Sequence, residues 1–103
     1  MKADYDSEAD AILIELEEVD HWDDDVRIDD AMLCGVALTE KRPVAVSLRY
    51  PREELELLKA AAERFHLNAT ALVAATQAAL AAPDREVMVE VGQKRLAGKA
   101  RAA

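Results

Sequence analysis

Tyr5, Asp6, Glu8 and Asp10 place a phenol and three carboxyl groups within "YDSEAD", a density of proton-exchanging side chains that would suit acid–base chemistry. The same run, Asp-Ser-Glu-Ala-Asp, also makes a turn in which short polar side chains bond to nearby backbone N–H groups, and the turn is the expectation. A second acidic run, "DHWDDD" with Asp29 and Asp30 beyond it, offers carboxylates to a divalent cation. It lacks the glycine and closing glutamate of a calcium loop and has no regular ligand spacing, so a solvated acidic loop is expected. His21 and His66 are too far apart in pattern to form a metal or catalytic pair, and His66 sits where a histidine serves a helix C-terminus. Cys34, the one cysteine, has no disulfide partner and reads as a buried thiol.

The chain has three glycines and carries no phosphate-cradling loop, serine elbow or Cys/His metal spacing. No catalytic constellation, metal site or cofactor is expected, and the chain does not read as an enzyme. The remaining chemistry-bearing stretch is "VAVSLRYPREEL", residues 44–55, an alternating strand that presents Arg49 and runs through Pro51 into a helix. Arg49 is either a partner-binding group or an exposed strand residue paired with Glu53 or Glu54.

The elements that must position these groups follow from size and periodicity. A chain of 103 residues supports one compact domain or two intimate halves. Its four aromatic residues leave a core of Leu, Val, Ile and Ala, thin enough to lean on a second subunit. The net charge of −8 is divided unevenly: residues 1–40 carry 14 acids against Lys2 and Arg27, a balance of −12, and residues 41–103 carry 11 bases against 7 acids, a balance of +4. The first part suits a basic partner, and the second can approach nucleic acid. The acidic opening "MKADYDSEAD" is unlike a secretory signal and no apolar run reaches the ~20 residues of a membrane span, so no membrane association and a cytoplasmic location are expected.

Residues 2–6 and 11–17 read as a hairpin, because Ile12, Ile14 and Leu16 alternate with Leu13, Glu15 and Glu17. An acidic loop follows, with a short strand around Val26 to Ile28 and Trp22 pinning the loop to the sheet. "AMLCGVAL" and "VAVSLRY" form a second hairpin around "TEKRP", with Pro43 closing the turn. From Pro51 the period changes: Leu55, Leu58, Ala62 and Phe65 predict a helix over 51–65, with Pro51 at its first position and Glu53 and Glu54 near its positive end. Asn68 caps a second helix, Leu67 and Leu72 have staple spacing, and Pro83 ends it. "REVMVEV" alternates as a late strand, and residues 93–103 form a flexible basic tail. The expected fold class is α+β: an antiparallel β-meander, then a strand-helix-helix segment and a short late strand. The expected division is an acidic portion over 1–43, a strand-helix-helix portion over 44–92 and the tail, the first two forming one unit.

Two resemblances attach to different stretches. "YDSEADAILIEL", followed by the acidic stretch and the hairpin ending "RPVAVSL", resembles a small bacterial domain family of unknown function, over roughly residues 1–50. Members are small and largely β and are often encoded beside toxin-like proteins, and the acidic first part of this chain is expected to engage a basic partner such as a toxin. Residues 44–81, through "LRYPREEL" and "AAAERFHLNATALV", resemble the ribbon-helix-helix repressors and antitoxins. That resemblance implies a homodimer in which two copies of the strand zip together. Ser47 and Arg49 would then face operator DNA, while the N–H groups of Asn68, Ala69 and Thr70 hold a phosphate. Val46, Leu48 and Tyr50 would be buried, with Ala45 outward. Two readings stand: a dimeric DNA-binding antitoxin or repressor, and an acidic protein-interaction domain without DNA binding whose helices serve only to dimerise.

Overall fold

A computed structural model of the chain describes residues 1–89. Its first hairpin joins β1 (Lys2–Asp6) to β2 (Ala11–Glu15). Alternation decides the faces: Ala3, Tyr5, Ile12 and Ile14 are buried, and their neighbours point the other way. The connecting turn is built by Asp6, whose Oδ1 accepts the N–H groups of Glu8 (3.0 Å) and Ala9 (3.2 Å), and by Asp10 in the left-handed region at φ 52°. After β2 the chain crosses the acidic loop to β3 (Asp24–Arg27), then enters β4 (Cys34–Thr39) and β5 (Arg42–Arg49).

The β4–β5 connection is tighter than the expected "TEKRP" loop. Glu40 and Lys41 alone make it, both left-handed at φ 52° and 69°, the geometry whose twist matches the strands it joins. Pro43 therefore lies inside β5 and does not close the turn. It is tolerated there because the register shifts beside it: Leu38 faces Pro43 and Ala37 faces Ala45, leaving Val44 as the extra residue of a bulge. The Val44 carbonyl then accepts the N–H groups of both Leu16 (2.8 Å) and Glu17 (3.2 Å) where β2 ends.

Pro51 also departs from its expected place. Tyr50 takes a left-handed φ of 55°, its carbonyl accepts the N–H groups of Glu53 and Glu54 at 3.0 Å each, and α1 begins only at Leu55, running to Phe65. Pro51 is buried in the intervening turn. His66, at φ 59°, ends α1, and the N–H of Leu67 returns to the Ala62 carbonyl at 2.8 Å, the arrangement of a Schellman motif. Asn68 then caps α2 (Ala69–Ala81) as its sequence position predicts, its Oδ1 accepting the Ala71 N–H at 3.0 Å. A last strand, β6 (Glu86–Met88), pairs with β1. Val91 of the expected late strand and the basic tail lie outside the described residues.

All neighbouring strands are antiparallel, in the order β3-β4-β5-β2-β1-β6. Both helices cover one face, α1 over β4 and β5 and α2 over β1 and β2. Ile12, Ile14, Val36, Val46 and Leu48 from the sheet meet Leu58, Ala61, Ala62, Leu72, Ala75 and Ala79 from the helices, all at most 3% exposed. Alanines let the helices sit close to the strands, and each buried Leu, Ile or Val contributes about 1.5–3 kcal/mol relative to exposure. Thr76, fully buried in this layer, satisfies its hydroxyl by donating to the Leu72 carbonyl at 2.9 Å. Among the described residues, no helix is long and apolar enough to cross a membrane.

This topology corrects the expectation for the strand at 44–50. β5 pairs with β2 along one edge, through Ile12–Leu48 and Ile14–Val46, and with β4 along the other, through Cys34–Leu48 and Val36–Val46. Both rows of backbone donors and acceptors are used within the chain, so β5 has no edge on which to zip with a second copy. The fold is an α+β sheet with a helical layer, and the strand before the helices is an interior one.

Candidate functional site

The face of the sheet opposite the helices carries Ser47 and Arg49 of the sequence-predicted groups. Register places Asp4, Leu13, Ser47, Gly35 and Arg27 in one row across β1, β2, β5, β4 and β3, with Lys2, Glu15, Ala45, Ala37 and Asp25 in the adjacent row and Asp6, Ala11 and Arg49 beyond. Ser47 and Arg49 are exposed there, as expected, and Val46 and Leu48 are buried on the other side. Two neighbours differ from expectation. Ala45 is only 1% exposed, packed with Ala37, Val44, Leu13 and Val19, whereas Tyr50 is 39% exposed. Trp22 shares a shallow depression with Leu13, Ala37 and Ala45, so it does cover the sheet, but it remains 46% exposed.

Arg49 lies over the Tyr50 ring at 5.1 Å and, among the described residues, makes no ion pair with Glu53 or Glu54. Asn68, Ala69 and Thr70 lie at the start of α2 in the helical layer, across the sheet from Ser47 and Arg49. The fold brings the two groups to opposite sides. Six strands at about 4.8 Å spacing form a surface about 24 Å across, twice the ~12 Å width of a DNA major groove, and β5 is interior to it. Asp4, Asp6, Glu15 and Asp25 share its face with Lys2, Arg27 and Arg49, so a phosphate brought to Arg49 would meet carboxylates as well as cations.

The polar groups of "YDSEAD" are brought together, and most of them bind one another or the backbone. Tyr5 donates its hydroxyl to Asp10 Oδ1 at 2.7 Å and accepts from Arg52 Nη1 at 3.3 Å. The bond to Asp10, with burial behind it, pushes the phenol above its ordinary range, which keeps it protonated and unsuited to act as a base. Asp84 accepts both the N–H (2.8 Å) and the hydroxyl (2.7 Å) of Ser7, and these bonds hold its carboxyl below the usual range. The cluster ties the first turn to the turn that precedes α1 and to the one that follows α2, and the N–H of Tyr50 on the Asp10 carbonyl (2.7 Å) adds to the first of these links.

The acidic loop is similarly engaged in its own fold. Burial works to raise the Asp29 carboxyl, but bonds from the Cys34 N–H (2.9 Å) and the Leu33 N–H (3.0 Å) outweigh it and hold the group below its ordinary value. Burial, reinforced by the Asp29 charge, pushes the Cys34 thiol up to about 12, which removes it as a nucleophile near neutrality. Asp23 accepts the Glu40 N–H at 2.7 Å, and the Thr39 hydroxyl donates to the His21 carbonyl at 2.8 Å. Among the described residues no group of three or more His, Cys, Asp and Glu side chains is arranged to hold a metal ion.

The edges of the sheet differ. On β3 the Asp25 N–H is taken by Asp24 Oδ1 at 2.8 Å, and the Arg27 carbonyl is covered by Arg64 Nη1 at 3.3 Å, so this edge is guarded. At the opposite end Lys2 is surrounded by Glu15 (3.4 Å), Glu18 (3.5 Å) and Glu86 (3.7 Å), beside an open groove lined also by Met1, Leu16, Glu17 and Met88. Sequence reasoning did not find this corner, since residues 2 and 88 become neighbours only when β6 returns to β1. Comparison with protein-family models, with curated proteins and with solved structures finds no match for this chain.

Proposed function

We propose that this protein is an acidic protein-interaction domain that binds a basic partner and neither reads DNA nor catalyses a reaction. The observation that carries this reading is the interior position of β5: the strand that would have to enter a groove is closed on both edges by β2 and β4. The balance of −12 over residues 1–40 gives the partner its charge, and most carboxylates of the acidic loop remain exposed. A basic toxin belongs to that chemical class, and members of the family that the first part resembles are often encoded beside toxin-like proteins. Pairing with a second copy falls to the helical layer, where α2 has no charged side chain over Ala69–Ala81.

The competing reading, a dimeric repressor or antitoxin that reads DNA through Ser47 and Arg49, draws on the exposed Arg49 guanidinium. A gel-shift against the DNA upstream of the protein's own gene, over a salt series, separates the two, because phosphate contacts make affinity fall steeply with salt. The interaction-domain reading expects no shifted band at low salt. A specific band lost on Arg49→Ala would overturn it.

A further inference from the structure

We propose that the outer edge of β6, with the groove of Met1, Leu16 and Met88 beside it, is where the basic partner docks, adding an extended segment to the sheet. This rests on the interaction-domain reading above and specifies its site and mode. Three observations converge on this corner. The first is the edge itself: Ala3 opposes Val87 and the Val89 N–H bonds to the Met1 carbonyl at 2.8 Å, so odd-numbered residues of this segment face β1. The backbone groups of Glu86 and Met88 therefore point outward, and among the described residues no strand or side chain takes them up. The contrast with β3 is informative, because there the outward Asp25 N–H and the outward Arg27 carbonyl are each taken up by a side chain.

The second observation is apolar. Met88 is 69% exposed, the most exposed large hydrophobic residue of the described chain, and it stands over a groove of about 290 Å³ with Met1 and Leu16. Thioether side chains adapt to the shape of an incoming apolar group. The third is charge: among the described residues Glu15, Glu18 and Glu86 share the ammonium of Lys2, two carboxylates more than that cation balances. Glu17, on the same rim, is held by Arg42 through bonds of 2.9 and 2.6 Å and is already neutralised. An edge with free donors and acceptors, an apolar notch and an anionic rim selects an extended segment that alternates cationic and apolar side chains.

The test is an NMR titration of the full chain with a short peptide of alternating lysine and valine. Backbone amide shifts should concentrate at Glu86, Met88 and Lys2, and binding should weaken with added salt. Met88→Thr, which keeps a strand-forming residue at an exposed position, should weaken binding roughly fivefold or more. A peptide N-methylated at alternate amides, unable to donate along one edge, should lose binding by about tenfold. The proposal is overturned if the N-methylated peptide binds equally well, if shifts fall only in the loop at 17–30, or if β6 instead pairs two copies and the chain dimerises through it. Shifts confined to that loop would leave the interaction-domain reading standing, whereas a chain that bound no basic peptide and did bind DNA would remove both.

Discussion

Adjacent positions on β5 should respond oppositely to the same change. Leu48 is 1% exposed and lies between Ile12 and Cys34 in the core, whereas Arg49, the next residue, faces solvent on the open side. Leu48→Ala removes buried carbon atoms and leaves a cavity that an interior strand, fixed on both edges, cannot collapse to fill. The loss should be about 3 kcal/mol. For a domain of this size that corresponds to a fall in Tm of about 12–24 °C. Against a typical total of about 5–15 kcal/mol the variant still folds at room temperature, so its stability is measurable. Arg49→Ala gives up an exposed contact to Tyr50 and should stay within about 0.5 kcal/mol of the parent. Urea unfolding followed by far-ultraviolet circular dichroism measures both, and the slope should be unchanged if only the native state is affected. A Leu48→Ala loss below about 1 kcal/mol, or an Arg49→Ala loss as large as that of Leu48→Ala, would refute the placement of β5.

Asn68→Ala should cost about 1 kcal/mol through loss of the bond to the Ala71 N–H, with Asn68→Asp nearly neutral; equal losses in both would show that the cap contributes nothing. Cys34 should resist a thiol-specific disulfide reagent in the native protein at pH 8 and react once the chain is unfolded in urea, since its thiol is 2% exposed and pushed up to about 12; native reactivity at the unfolded rate would contradict its burial. Stability should fall in acid. Asp84, held low by its bonds from Ser7, and Glu17, held low by its bond from Arg42, have folded-state values below their unfolded ones, so their contribution is complete above the ordinary carboxylate range and is lost as pH falls through the depressed values. Asp84→Asn should flatten the acid limb of a Tm-against-pH profile, and an unchanged limb would remove Asp84 from that account.

Local outcomes follow from the order of residues alone. Ile12 and Ile14 alternate with polar neighbours and form a strand, Asn68 meets the Ala71 N–H, and Asp6 closes its turn, because each outcome depends on residues a few positions apart. The burial of Val46 and Leu48 and the exposure of Ser47 and Arg49 were legible for the same reason, since a strand's two faces follow from its own period. The partners along the two edges of β5 follow from the packing of the whole chain. Backbone N–H and C=O groups are the same for nearly every residue, so an interior strand and a dimer ribbon can share one side-chain pattern. Pro43 and Pro51 lie elsewhere than their local signals predict because a bulge and a left-handed Tyr50 shift the boundaries around them. The corner of Lys2, Leu16 and Met88 had no local signal at all: it exists because the chain, after both helices, comes back to pair with the strand on which it began.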